Sequence, residues 1–329
     1  MIRTRPMGLH PPLLRPFVAL VAALSVGCTA GDDSMPDETS DTVAGDFVPP
    51  RDTDILLADL RWDSMTGPRI DALSNLTQRP GYDNQPYFVP DGSGLWYTVI
   101  DEHDGQADIW RYDFEPPMIA RVTQSNPESE YSATPLPDGN GISTIRVEAD
   151  STQRLWRFDF DGSNEAVLLP GLAPVGYHAW ADARTVVMFV LGEPATLQRG
   201  DVQSGRVEIL ERDVGRSIQT IPGTNDVSYV QRFGPERSAI MRLPGDGGAP
   251  VSLIDAVDGL EDHAWAPDGT LFMASGAVVH ALSPGATEWT PIADFSELGI
   301  SISRLAVSPD ASRIAMVAEA AAPEGFSSN

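Results

Sequence analysis

The sequence predicts an all-β fold: a six-bladed β-propeller of four-stranded antiparallel blades, closed by strands from both termini. Three observations support this prediction: a turn motif that recurs along the chain, strand-like segments after each turn, and a last copy of this repeat that is incomplete. The turn motif is Pro-Asp-Gly or a variant of it, with anchors at Asp91, Asp138, Asp182, Gly223, Asp268 and Asp310. The anchors lie 41 to 47 residues apart, a spacing typical of propeller blades.

Each copy contains segments that suit four strands. In the first copy, residues 95–100 are apolar, and residues 109–114 alternate between apolar and charged side chains. Alternation with a period of two is typical of a strand with one buried face. Residues 118–122 then supply a fourth strand, and the later copies repeat the same order.

The sixth copy stops after its second strand, and the missing strands are found near the N-terminus. Residues 54–60 fall in the same register as the third strand of the first copy, and residues 69–76 supply a fourth strand. Pairing the two ends of the chain in one blade removes two open sheet edges. We therefore predict a propeller over residues 54–319 and a short tail over 320–329.

The first copy also carries a family resemblance. Its residues, in order, are Leu76-Thr77, Gly81, Asp83, Pro86, Pro90-Asp91-Gly92 and Asp108-Ile109-Trp110. This arrangement resembles the Pro-Asp-Gly blade repeat of the TolB-like propeller family, and the resemblance covers about residues 54–318. It implies the propeller fold and a tendency to bind proteins. We expect no counterpart of the N-terminal α/β domain found in TolB, so a role in the Tol system does not follow.

The N-terminus has the layout of an export signal. Arginines precede an apolar run at residues 17–26, which is about half of the roughly 20 residues needed to span a bilayer. Cys28, the one cysteine in the chain, follows Leu24-Ser25-Val26-Gly27 and resembles the lipobox cysteine of bacterial lipoproteins. We predict a signal peptide over 1–27 and lipidation of Cys28. The alternative is ordinary signal cleavage near Ala30.

Residues 28–53 are rich in Asp, Ser, Thr, Pro and Gly, so we expect a disordered acidic linker. Thr29, at the position after the lipidated cysteine, resembles the arrangement in lipoproteins sent to the outer membrane. We therefore expect the protein at the outer membrane, on its periplasmic or surface side. The formal net charge is −25 and the chain has no lysine, which argues against nucleic acid as a partner. We expect a monomer that contacts the membrane through its lipid anchor only.

Two short sequence motifs at equivalent positions of two copies suggest a site at the mouth of the channel. The motifs are Tyr177-His178-Ala179-Trp180 and Asp262-His263-Ala264-Trp265, and Asp83 lies in an equivalent loop of the first copy. The loops expected on this face are acidic, with Tyr and His among them. The two histidines could be metal ligands, an acid–base pair, or hydrogen-bonding residues between blades, and spacing fixes no third metal ligand.

No nucleophile motif and no glycine-rich phosphate loop is present in the sequence, and we expect no cofactor. Two functions follow as hypotheses. The first is an envelope lipoprotein whose propeller binds another envelope protein or a peptide without catalysis. The second is a propeller glycan lyase or hydrolase that uses His178, His263 and acidic neighbours such as Asp262. The fold alone does not choose between them.

Overall fold

The computed structural model describes residues 52–103, 105–235 and 237–320, which form β-strands joined by short turns. Two short 3₁₀-helices, Val257–Gly259 and Ser296–Leu298, interrupt the strands. The predicted signal peptide, Cys28 and nearly all of the predicted linker lie outside the described residues, as does the tail beyond residue 320. Among the described residues, no helix has the length and apolar character needed to cross a bilayer.

The first six strands form two antiparallel groups. They are β1 (Thr53–Asp63), β2 (Gly67–Asn75), β3 (Tyr82–Phe88), β4 (Gly94–Ile100), β5 (Ala107–Phe114) and β6 (Pro117–Arg121). Strands β3 to β6 pair in chain order, whereas β1 pairs with β2. Strand β1 runs three residues beyond the predicted 54–60 because Arg61, Trp62 and Asp63 continue the hairpin with β2.

Four separate four-stranded antiparallel sheets follow. The first contains β7 (Ser129–Pro135), β8 (Ile142–Val147), β9 (Gln153–Phe158) and β10 (Ala166–Leu168), and the second contains β11 (Val175–Trp180), β12 (Thr185–Val190), β13 (Thr196–Asp201) and β14 (Val207–Arg212). The third contains β15 (Val214–Thr220), β16 (Val227–Arg232), β17 (Ser238–Leu243) and β18 (Val251–Asp255), and the fourth contains β19 (His263–Trp265), β20 (Leu271–Ser275), β21 (Val278–Leu282) and β22 (Thr290–Asp294).

The last two strands, β23 (Ile300–Val307) and β24 (Arg313–Ala320), join the N-terminal strands. Strand β24 pairs antiparallel with both β23 and β1, and the β1 pairs run from Thr53–Glu319 to Asp59–Arg313. A single parallel pair between Thr53 and Tyr82 connects β1 to β3. Strands β1 to β6, β23 and β24 therefore form one eight-stranded sheet.

The apolar core lies between sheets that are consecutive in the chain. Most buried clusters combine side chains from two neighbouring sheets, whereas the cluster that contains Ile55, Phe88 and Ala315 joins strands of the eight-stranded sheet itself. Fully burying one large apolar side chain contributes about 1.5–3 kcal/mol. Examples of residues that share a cluster are Trp96 with Phe158, Ile145 with Met188, Leu197 with Tyr229, Ile240 with Met273, and Phe272 with Met316.

The recurring turn motif has a direct physical cause. In the first copy, Asp91 accepts a hydrogen bond from the Ser93 amide at 2.9 Å, and the Gly92 amide donates to the Val89 carbonyl at 2.8 Å. Gly92 has a φ of 74°, which glycine adopts without steric cost. An aspartate followed by glycine therefore closes the hairpin that links the first and second strands.

Candidate functional site

Each of the six sequence copies places at least one polar side chain around a common cavity, from its first strand or from the residue directly before that strand. In every copy, the first and second strands share an equivalent cross-strand pair, such as Phe88 with Leu95 or Trp265 with Leu271. The residue three positions before this pair lines the cavity in all six copies. We call these residues the polar set: Gln85, Ser132, Tyr177, Ser217, Asp262 and Arg304.

The cavity lined by the polar set has a volume of about 90 Å³ and is called the inner cavity below. His178 and His263, each one residue beyond a member of the polar set, also line it. A larger outer cavity of about 520 Å³ lies beside it. Arg216, Asp262, Arg304 and Leu305 line both cavities, and the three charged side chains among them form the polar part of the wall between the cavities.

The shared wall contains two arginines and one aspartate. Arg216 Nη2 donates to Asp262 Oδ2 at 2.6 Å, and Arg304 Nη1 donates to Asp262 Oδ1 at 3.4 Å. Arg304 Nη2 also donates to Tyr177 Oη at 2.8 Å, and its guanidinium lies 5.2 Å from the centre of the Tyr177 ring. The wall therefore carries one excess positive charge, whereas the outer cavity is also lined by Glu261 and Glu319.

Both arginines stay charged in this wall. Burial opposes the charge on Arg304, but Asp262, Tyr177 and Tyr82 outweigh burial, so its pKa is raised above the ordinary value. Burial acts on Arg216 in the same way, and Asp262 again raises its pKa. The positive charge of the wall is therefore maintained at any physiological pH.

His263 is buried and hydrogen-bonded through both ring nitrogens. Its Nε2 lies 2.8 Å from Ser228 Oγ, to which Trp265 Nε1 also donates at 2.8 Å. Its Nδ1 lies 3.1 Å from Ser217 Oγ and 3.3 Å from the Glu261 carbonyl oxygen. Ser228 Oγ also donates to the Gln219 carbonyl at 3.2 Å, so these contacts are compatible with a proton on either ring nitrogen.

His178 repeats one half of this arrangement. Its Nε2 lies 2.7 Å from Ser143 Oγ, and Trp180 Nε1 donates to the same oxygen at 2.9 Å. Ser143 and Ser228 occupy equivalent positions on their second strands. On the other side of the ring, His178 Nδ1 is buried and has no hydrogen-bond partner within residues 52–103, 105–235 and 237–320.

Burial lowers the pKa of His178 to about 3. Burial also lowers the pKa of His263 to about 4, an effect that the Glu261 carbonyl and Asp262 partly offset. Both rings are therefore neutral at pH 7. A general base works best when its pKa lies near the operating pH. The two histidines are better suited to hydrogen bonding than to proton transfer.

Asp83 lines neither the inner nor the outer cavity. It is fully buried and accepts hydrogen bonds from Arg79 Nη2 at 2.5 Å and Arg79 Nε at 3.1 Å. Burial raises the pKa of Asp83 to about 6, although Arg79 lowers it. At pH 7 the carboxylate is therefore ionised and fixes the loop before β3 to that strand.

The four other cavity residues that the sequence suggested, Tyr177, His178, Asp262 and His263, all line the inner cavity. In the part of the chain that the structure describes, no group of three His, Cys, Asp or Glu side chains is arranged to hold a metal ion. The described residues thus add no third ligand to the histidine pair.

Sequence reasoning missed Arg216 and Arg304, which carry the positive charge of the wall. Both lie on first strands of copies that lack the His-Ala-Trp motif, so no repeated sequence motif marks them. A usable signal is the register itself. Counting three residues back from the equivalent cross-strand pair finds Arg304, and Arg216 directly precedes Ser217, found in the same way.

No protein-family model and no curated protein matches this sequence. Solved structures do match. The putative TolB from Agrobacterium tumefaciens is 15% identical, with 82% of this chain and 98% of that chain covered and a TM-score of 0.62. The chain has a TolB-like propeller fold. At this level of identity the propeller is a likeness of fold alone.

Two further matches support the same propeller fold. TolB from Acinetobacter baumannii is 12% identical with a TM-score of 0.54, and the match covers 82% of this chain and 64% of that one. A chain in the crystal structure of a nidogen/laminin complex is 13% identical with a TM-score of 0.56, and the match covers 82% of this chain and 100% of that chain.

Proposed function

We propose that the chain forms a six-bladed propeller closed by strands from both ends of the sequence. Five blades correspond to the antiparallel groups that begin at β3, β7, β11, β15 and β19. The sixth combines β23 and β24 with β1 and β2, and its support is the antiparallel pairing of β24 with β1. Closure of this kind pairs the two ends of the chain with each other and leaves only the short outer edge of each blade unpaired.

We also propose that residues 1–27 direct export, that Cys28 carries the lipid, and that residues 28–53 tether the propeller to the outer membrane on its periplasmic or surface side. The support is the charge, apolar run and cysteine at the N-terminus. Growth with a labelled fatty acid tests this proposal. The wild-type protein should take up label and Cys28→Ser should not, whereas an unlabelled wild-type protein would refute lipidation.

The propeller acts, in this proposal, as a monomeric, non-catalytic scaffold that binds an envelope protein or a peptide at its channel mouth. The observation that carries the proposal is the polar set, which converges on the inner cavity from six sequence copies beside a larger outer cavity. Convergent polar groups in a concave site are typical of ligand binding.

The catalytic alternative is a glycan lyase or hydrolase that uses His178 and His263. It has less support, because burial holds both pKa values several units below neutrality and each Nε2 is bonded to a serine. Neither ring is therefore well matched to accept a proton at pH 7. Turnover of an envelope or environmental glycan that His263→Ala abolishes would reverse this preference.

Capture from envelope extract of the encoding bacterium tests the binding function. The bait is the full-length protein in detergent, compared with Arg304→Gln, which removes the hydrogen bond to Tyr177 and the contact with Asp262. The matched control is Arg237→Gln, because Arg237 is exposed and pairs with Asp255 on a different part of the surface.

We expect a protein or peptide that the wild type and Arg237→Gln capture equally and that Arg304→Gln captures at least about tenfold less. Quantitative mass spectrometry of the three captures measures the ratio. If all three baits recover the same proteins in the same amounts, binding at the channel mouth is wrong.

A further inference from the structure

Three buried polar atoms beside the inner cavity have no hydrogen-bond partner among the described residues. They are Arg216 Nε, His178 Nδ1 and Ser132 Oγ, and the residues that carry them all line the cavity. Leaving a buried polar group unpaired is costly, and in native proteins such groups usually point to a ligand or an ordered water. Three of them around one small cavity form a set that a single bound group could satisfy.

The chemistry of these atoms indicates what that group must offer. Arg216 Nε–H can only donate. At His178, the Ser143 hydroxyl that contacts Nε2 also donates to the Thr134 carbonyl at 3.3 Å, so this contact leaves the position of the ring proton open. Arg216 Nε alone therefore sets the requirement: a ligand here must accept a hydrogen bond from it.

The charge of the wall narrows the choice to an anion. Arg216 and Arg304 share the single carboxylate of Asp262, which leaves one positive charge without a counter-charge in the wall. The planar guanidinium of arginine matches the two oxygens of a carboxylate. A volume of about 90 Å³ admits a small group and excludes a large one. One excess charge also favours a monoanion over a phosphate dianion.

From this geometry we infer that the inner cavity binds a carboxylate group. The inference deepens the proposed function, on which it rests for the source of the carboxylate: a peptide lying in the outer cavity that inserts a C-terminal or side-chain carboxylate past Arg216. The binding chemistry itself can be tested without any partner, because acetate carries the same group.

The first experiment compares acetate with its neutral isostere acetamide on the full-length protein in detergent. Thermal unfolding is followed by tryptophan fluorescence at constant pH and constant ionic strength. A ligand at about ten times its Kd should raise the Tm by about 3 °C for a domain of this size. We expect this rise with acetate and none with acetamide. An equal response to both, or a larger response to phosphate, would overturn the inference.

Variants separate a bound carboxylate from a general salt effect. Arg216→Gln should abolish the acetate response, and Arg216→Lys, which keeps the charge but loses the Nε donor, should weaken it. Arg237→Gln, which removes an exposed arginine, should respond like the wild type. If Arg216→Gln and Arg216→Lys both keep the full response, the carboxylate does not bind at this wall.

Peptide probes identify the source of the carboxylate and keep the two proposals apart. One peptide, acetyl-Gly-Gly-Gly, has a free C-terminus, and the other, acetyl-Gly-Glu-Gly-amide, has only a side-chain carboxylate. The stronger binder by calorimetry indicates the natural source. If acetate and both peptides fail to bind while Arg304 still controls partner capture, the carboxylate inference is wrong and the binding function stands. If acetate binds in an Arg216-dependent way but no partner is captured, the carboxylate inference stands and the binding function is wrong.

Discussion

The surroundings of His178 and His263 are two versions of the same local structure, and they match on one side of the ring only. On the Nε2 side, each histidine shares a serine hydroxyl with a tryptophan two residues later in the chain, at 2.7–2.9 Å in all four contacts. On the Nδ1 side, His263 meets Ser217 and the Glu261 carbonyl, whereas His178 meets no partner among the described residues.

The backbone at the equivalent serines explains the difference. Ser132 corresponds to Ser217, but its φ is 57°, and its amide donates to Gln85 Oε1 at 2.8 Å. Ser217 is not in this left-handed conformation, and its hydroxyl bonds to His263. The comparison teaches that the Nε2 side serves packing between sheets in both copies, while the Nδ1 side of His178 is left open toward the cavity.

Acid should affect both copies alike, and this is the largest effect that we predict. Each folded-state pKa lies below the value of 6.5 for an unperturbed histidine, so between these values the unfolded state binds the extra proton. Stability is therefore full above about pH 6.5 and is lost as the pH falls toward about 4. Two histidines at about 1.4 kcal/mol per pH unit each give a loss of about 4 kcal/mol between pH 6.0 and 4.5.

Urea unfolding at several pH values measures this loss. His178→Asn and His263→Asn should each remove about half of the dependence that the two histidines contribute. His103→Asn, at an exposed loop position, serves as the control. The shared burial of the two rings would be contradicted if neither variant changed the acid dependence.

Replacing each histidine by alanine at pH 7.5 should separate the two copies. His263→Ala removes the partner of Ser228, Ser217 and the Glu261 carbonyl, so we expect a loss of about 3 kcal/mol. His178→Ala removes the partner of Ser143 alone, and we expect about 2 kcal/mol. Denaturant unfolding measures both values, and a larger loss for His178→Ala would show that its Nδ1 side is also bonded.

The smallest and sharpest difference should come from the equivalent serines. Ser217→Ala deletes the hydroxyl that bonds His263 Nδ1 and should cost about 1 kcal/mol. Ser132→Ala deletes a hydroxyl without a partner among the described residues and should cost about 0 kcal/mol. The positive φ at residue 132 affects serine and alanine alike, since both have a Cβ. Equal losses in the two variants would mean that the serines have the same environment.

The sequence predicted the features that depend on residues close together in the chain. Alternating apolar residues and Asp-Gly turns predicted the strand order, and the repeated His-Ala-Trp motif placed His178 and His263 at equivalent positions. These features depend on neighbours within about ten residues, so letters alone reveal them. The end of β1 was predicted too early because the hairpin with β2 continues through charged residues.

The parts that the sequence did not reveal depend on contacts between distant segments. The wall joins Arg216 and Arg304, from two first strands, with Asp262, which directly precedes a third, and no local pattern links them. The open side of His178 depends on the conformation of Ser132, which is fixed by Gln85 from the sheet before it.

The pairing of β1 has a mechanical consequence. Strand β1 lies between β24, with which it forms seven residue pairs, and β2 on its other side. A force applied along β1 from its N-terminal end loads both ladders in shear, so many hydrogen bonds must break together instead of peeling one by one. A propeller held by this strand therefore resists a pull along β1 better than a pull that peels β1 away from its neighbours.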